Sequence, residues 1–171
     1  MKLLLIRHGI AEVRDVFRST GKPDEERPLT GPGRDKMDRA AQGLRTIVPN
    51  LSLVATSPLT RAMETAQIVA EAYEMNVGAT TDKLNPDALL PEFVEWLGKH
   101  GDEEVVAAVG NEPHLGTLVT WLLTGHEEPK LAFRKGGAAM LEFHAKPRKG
   151  GGVLLWFAGP KILRRLGKPI T

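Results

Sequence analysis

The segment Leu3-Leu4-Leu5-Ile6-Arg7-His8-Gly9 decides how the rest of the chain reads. Its unbroken apolar run matches a short buried strand. The run stops at an arginine, a histidine and a glycine, so the strand carries a guanidinium and an imidazole to the rim of a sheet. Gly9 has no side chain to hold a ligand away from the backbone there. An isolated Arg-His pair reads equally well as the polar end of a strand, and the remaining sequence must separate the two readings.

Composition narrows the classes. The chain has 171 residues, enough for one domain over residues 1–171 with a sizeable core. It is 42% hydrophobic and 26% charged, which is ordinary for a globular protein. A net charge of +2 gives no reason to expect a nucleic-acid partner. There are no cysteines, which excludes disulfides, zinc–thiolate sites and a cysteine nucleophile. The five histidines are scattered without the spacing of a metal site, so no metal and no organic cofactor is expected. No apolar run approaches the ~18 residues of a membrane span. The N-terminal run is too short for a signal peptide, which makes the cytoplasm the expected location.

Periodicity gives an alternation of strands and helices. Residues 10–28 read as a short helix or loop over the end of the first strand. Thr30 is placed to cap a helix over Gly33–Val48, with Met37, Ala40, Ala41, Leu44, Ile47 and Val48 on one face. A second strand covers Leu51–Thr56. Ser57-Pro58 then reads as a serine cap followed by a first-turn proline, opening a helix to about Tyr73. A short strand at Val77–Thr80, a loop at Lys83–Asp87 and an amphipathic helix at Leu89–Lys99 follow. The third clear strand is Val105–Val109, and a helix runs from about Pro113 to Leu123, closed by Gly125. Strands at Ala138–Phe143 and Val153–Phe157 flank a basic glycine-rich loop, and Pro160–Leu166 is a short helix before a frayed tail. The expected fold is α/β: a three-layer αβα sandwich around a mostly parallel sheet, with an antiparallel edge formed by the last two strands.

Function is read at the ends of the three best strands. They finish at Arg7-His8-Gly9, at Ser57-Pro58 with Arg61 close behind, and at Gly110-Asn111-Glu112-Pro113. Ligands of open α/β sheets bind beyond the carboxyl ends of the strands. Arg7, His8, Arg61 and Asn111 are therefore expected to converge, with two helix N-termini aimed the same way. Such a site suits a compact anion, most naturally a phosphoryl group, because arginine forks match phosphate oxygens. No Walker loop is present, which leaves His8 as the group able to accept a phosphoryl covalently.

Four motifs occur in order: Leu-Ile-Arg-His-Gly at the N-terminus, Arg-Pro-Leu-Thr from Arg27, Ser-Pro-Leu-Thr-Arg-Ala from Ser57, and Val-Gly-x-Glu-Pro from Val109. Together they resemble the histidine phosphatase superfamily, whose members share a phosphoglycerate-mutase-like fold. The Arg-Pro-Leu-Thr form and the short length resemble the SixA-type phosphohistidine phosphatases. The resemblance implies that His8 accepts the phosphoryl group and that Arg7 and Arg61 clamp its oxygens. It also places Arg27 and Ser57 in the pocket.

The chain departs from the pattern mainly at one position. Asn111 stands where the family has its second histidine. Its amide can donate a hydrogen bond to the phosphoryl group but cannot carry charge or shuttle a proton, and losing one such group typically lowers the rate by ~10²–10³-fold. The loop Leu84-Asn85-Pro86-Asp87 also lacks the acid of many members, with Asp87 or Glu92 as the nearest substitutes. A phosphohistidine leaving group needs less acid help than an alkoxide. His114 is expected to face solvent, and Trp96, Trp121 and Trp156 to sit in the core.

The expected activity is a phosphatase working through a phosphohistidine on His8. Its expected partner is a phosphorylated protein such as a phosphotransfer domain, with no nucleic acid and no membrane. The alternatives are a small-molecule phosphomonoesterase of the same family, or a phospho-ligand binding module weakened by Asn111. The basic clusters Lys146-Arg148-Lys149 and Lys161-Arg164-Arg165-Lys168 read as solvated charge that is also suited to steering an acidic protein partner.

Overall fold

The first strand, β1 (Lys2–Arg7), explains its own composition. Leu3 and Leu5 enter one apolar core while Leu4 and Ile6 enter another, on the opposite face of the sheet. A strand covered on both faces has no use for a polar alternate residue. In the computed structural model, which describes residues 1–167, this pattern organises the molecule.

Along the chain come α1 (Arg14–Arg18), α2 (Gly31–Ile47), β2 (Leu53–Thr56), α3 (Thr60–Ala72) and β3 (Ala79–Thr80). They are followed by α4 (Leu90–Gly98), β4 (Val105–Gly110), α5 (His114–Thr124), β5 (Ala138–Glu142), β6 (Val153–Ala158) and α6 (Pro160–Leu166). The strands form one six-stranded sheet in the order β3-β2-β4-β1-β5-β6. β1, β4, β2 and β3 pair in parallel, whereas β5 runs antiparallel to both β1 and β6. The antiparallel pairing expected at this margin is therefore made by β5, with β6 outside it.

Helices cover both faces. Residues of α2, α3 and α6 build one core with Leu4, Ile6, Val54 and Val109. Residues of α4 and α5 build the other with Leu3, Leu5, Val106 and Ala108. The helices α2 and α6 meet backbone to backbone at Gly43, where a Cβ would lie 1.9 Å from the Leu163 carbonyl oxygen. Trp121 is buried and Trp96 and Trp156 pack partly against the cores, as expected. On β6, Val153, Leu154, Leu155 and Phe157 remain exposed.

Thr30 caps α2 as its sequence implies, its Oγ1 accepting from the Gly33 amide at 2.9 Å. Ser57 does not cap α3. That helix begins at Thr60 with Leu59 before it. The Ser57 amide instead donates to the Val109 carbonyl at 3.1 Å, so the residue extends the sheet by one step and its hydroxyl is free for another partner. The stretch expected as a loop at 83–87 opens with a 3-10 turn, Asp82–Leu84. The predicted frayed tail and Lys168 lie outside the described residues.

Candidate active site

Three parallel strands end level. Arg7 at the tip of β1 pairs with Gly110 at the tip of β4, and Thr56 at the tip of β2 pairs with Val109. The residues just beyond these tips must share one rim, and they do. Arg7, His8, Arg27, Arg61 and Asn111 line a single cavity of about 860 Å³.

His8 is fixed by its neighbours on every side. Its amide donates to the Gly110 carbonyl at 3.1 Å, and its carbonyl accepts from the Gly136 amide at 3.0 Å. Gly136 also donates to the Arg7 carbonyl, in a tight turn that requires its φ of +76°. The ring Nδ1 lies 2.7 Å from the Gly9 carbonyl oxygen. A carbonyl only accepts, so in the neutral ring the hydrogen is on Nδ1 and the lone pair is on Nε2. Burial, with Arg61, Arg7 and Lys135 nearby, lowers the imidazole pKa from 6.5 to about 3, against the Gly9 hydrogen bond, which raises it. His8 is thus a neutral imidazole at physiological pH, with Nε2 available as a nucleophile.

The two arginines stand at the same rim, Arg61 buried and Arg7 half-buried. The Arg7 guanidinium donates to the Phe133 carbonyl at 2.6 Å, and Arg61 donates to the Asp24 carbonyl at 3.0 Å. In each, Nε is buried without a partner among the described residues. Burial lowers both guanidinium pKa values, but arginine stays charged in proteins. Unpaired buried donors beside a neutral imidazole are a built place for an anion.

Arg27 also lines the cavity, and at 5% exposure it is no surface residue. Its Nε donates to Asp24 at 2.8 Å, and another guanidinium nitrogen donates to the Glu12 carbonyl. Asp24 also lies 3.4 Å from Arg61 and 3.5 Å from Arg14. Hydrogen bonding from Arg27, then the surrounding arginine charges, holds its carboxyl below the usual range against a partial burial cost.

Two predicted phosphate-binding residues stand elsewhere. Gly9 does not line this cavity. Its amide donates to Thr65 Oγ1 at 3.0 Å and so ties the tip of β1 to α3 instead of facing a ligand. Ser57 is fully buried behind the rim. Its Oγ accepts from Asn111 Nδ2 at 3.0 Å. That bond changes the reading of Asn111 as well. Its amide group is held by Ser57 and, weakly, by the Leu84 carbonyl at 3.5 Å, so it is not free to donate to a phosphoryl group. The side-chain oxygen, an acceptor, is the buried atom left without a partner among the described residues.

His114 is buried at 3% exposure, edge-on to Phe93, and not solvent-facing as expected. It packs beneath the site and does not line it. Of the two substitute acids, Asp87 lines the cavity, whereas Glu92 is paired with Lys83 at 3.0 Å. Among the described residues no cluster of histidines, aspartates and glutamates is arranged to hold a metal, and no helix is long and apolar enough to cross a membrane.

Three site residues carried no periodic signal in the sequence. Asp24 comes from the 3-10 turn Asp24–Glu26. Lys135 comes from the turn that clamps His8. Glu112 is indirect: its carboxylate accepts from the Phe133 amide at 2.7 Å and from the Gly116 amide at 3.1 Å. It therefore orders the segment whose carbonyl holds Arg7. The Gly136-Gly137 pair was the one visible hint of a tight turn here.

Residues 3–85 match the model of the histidine phosphatase superfamily, branch 1. An uncharacterised protein of Picosynechococcus sp. is 31% identical over 139 residues, spanning 80% of this chain and 82% of that protein. This chain belongs to the histidine phosphatase superfamily. A 2,3-bisphosphoglycerate-dependent phosphoglycerate mutase of Gloeothece citriformis is 36% identical over 97 residues, but the match spans 57% of this chain and 40% of the mutase. Among solved structures, the protein histidine phosphatase SixA complexed with tungstate superposes with a TM-score of 0.82 at 24% identity, covering 95% of this chain and 99% of SixA. The α-ribazole phosphatase of Shigella flexneri gives 0.71 at 16% identity, covering 94% and 97%. The superfamily's phosphoglycerate-mutase-like α/β fold, in its compact SixA-like form, is thus the fold of this chain.

Proposed function

We propose that this superfamily member is a phosphatase that turns over through a phosphohistidine on His8, acting on a phosphohistidine borne by a protein. The carrying observation is the neutral His8 ring, its hydrogen committed to Gly9 and its Nε2 lone pair in a cavity that Arg7 and Arg61 also line. The SixA of known structure is a protein histidine phosphatase seen with tungstate, a tetrahedral oxyanion like phosphate.

In the first step Nε2 of His8 attacks phosphorus in line, while Arg7 and Arg61 neutralise the phosphoryl oxygens. The new P–N bond forms as the bond to the leaving imidazole breaks, and that imidazole takes its proton from water. In the second step water attacks phosphorus, the P–N bond to His8 breaks and inorganic phosphate leaves. No strong acid is required, because an imidazole leaves as a neutral ring once protonated near neutral pH. Among the described residues, the segments over the cavity between β1 and α2 form only α1 and the turn Asp24–Glu26, which favours a protein side chain over an enclosed small molecule.

Rapid quenching with radiolabelled substrate tests the intermediate. Acid-labile label is expected on the peptide containing His8 and is expected to vanish in His8→Ala. Turnover with no label on His8 would mean direct attack by water. A second reading, a phospho-ligand binding module with little turnover, draws on Asn111, whose amide is already engaged by Ser57. It predicts vanadate binding with hydrolysis at background. A panel of phosphorylated metabolites set against a phosphohistidine protein separates the third reading, a small-molecule phosphomonoesterase.

A further inference from the structure

Beside the His8 cavity lies a second, open groove of about 730 Å³. Its walls come from α2, the turn after Phe133 and the start of α6, and its charged lining residues besides Arg7 are Lys36, Arg134, Lys135, Lys161 and Arg164. No acidic residue lines it. None of these five cations takes part in an ion pair among the described residues. The reaction cavity differs, since its Arg27 and Arg61 already face Asp24. The two spaces adjoin and share Arg7, Ile10 and Lys135 as lining residues.

We propose that this groove is a docking surface for acidic side chains that flank the phosphorylated residue of a protein substrate. This rests on the phosphatase reading only for the group that enters the His8 cavity. Lys135 is crowded by the arginines of the reaction cavity. Partial burial, then Arg7, Arg27, Arg14 and Arg61, lowers the Lys135 pKa, and an incoming carboxylate relieves that repulsion.

Three observations favour a protein segment over a small polyanion. Each space alone has the ~300–1,000 Å³ of a small-molecule pocket, so a small polyanion seated in one leaves the adjoining one unfilled. Val13 at 65% exposure in the wall of the first space and Ile162 at 55% in the wall of the second add exposed apolar surface, which suits a protein interface with a charged surround. No aromatic side chain lines the groove, so it lacks the stacking platform of a single-stranded nucleic-acid site.

The test uses two labelled peptides carrying a non-hydrolysable phosphotriazolylalanine, one flanked by aspartates and one by asparagines. Binding is followed by fluorescence anisotropy, with the wild-type protein and with Lys36→Gln/Lys161→Gln/Arg164→Gln. The wild type is expected to bind the acidic peptide at least ~10-fold more tightly, a preference that shrinks between about 50 and about 300 mM salt. The triple variant is expected to bind both peptides alike while hydrolysing an aryl phosphate within about twofold of the wild-type rate. Equal affinity of the wild type for the two peptides would overturn the proposal. So would a preference that survives in the variant, or tighter binding of a bisphosphorylated sugar than of the acidic peptide. An acidic preference in a wild-type protein without hydrolytic activity would support the groove and refute only the phosphatase reading.

Discussion

The Nδ1 of His8 lies 2.7 Å from the carbonyl oxygen of Gly9, and that one bond selects the nitrogen that can react. With burial lowering the ring pKa to about 3, the reactive form persists far into acid. Phosphorylation of His8, followed as a single-turnover burst, is expected to hold its rate between pH 7.5 and about pH 5.5. An imidazole titrating at 6.5 would lose about tenfold over that interval, so such a loss would show that His8 is not held neutral.

Asn111 faces Ser57 where the family places a second histidine. In Asn111→His, one ring nitrogen can retain Ser57 while the other offers a donor to the cavity. The aryl phosphatase kcat is expected to rise by ~10²-fold, within the range that one transition-state donor supplies. An unchanged kcat would mean that this position no longer contacts the reacting group.

Glu112 acts on Arg7 through Phe133, whose amide it accepts and whose carbonyl receives the guanidinium. Glu112→Ala is expected to lower kcat/KM by ~10-fold with most of the change in kcat, and Glu112→Gln, which keeps an acceptor, to recover part of it. A loss confined to melting temperature would assign Glu112 to the fold alone.

His114 has both ring nitrogens buried without partners among the described residues, and burial lowers its pKa from 6.5 to about 4. Between those values the unfolded chain binds a proton that the folded chain refuses, so stability falls as pH drops from about 6.5 to about 4. His114→Leu removes that proton linkage. Relative to wild type, it is expected to gain about 2 kcal/mol more at pH 5 than at pH 8, measured by denaturant titration. An equal change at both pH values would refute the assignment.

Much of this site was legible in the sequence because strand tips carry it. An apolar run ending in Arg-His-Gly, and another ending at Gly110-Asn111, place Arg7, His8 and Asn111 at a rim whatever the loops do. Ser57 shows where local rules stop. Ser-Pro is a strong capping signal, yet a sheet hydrogen bond to the Val109 carbonyl and one from the Asn111 amide outcompete the helix for that serine. His114 was misjudged because position in a helix says nothing of what packs over it. Asp24 and Lys135 come from turns, whose contribution depends on where distant segments land.

His8 follows a strand bonded on both sides, by β4 and by β5, near the middle of the sheet. Central strands exchange their amide hydrogens only through the rarest, most global openings. Warming or mild denaturant should therefore fray the outer strands and surface helices while the chemistry stays intact, until inactivation and wholesale unfolding arrive as a single event.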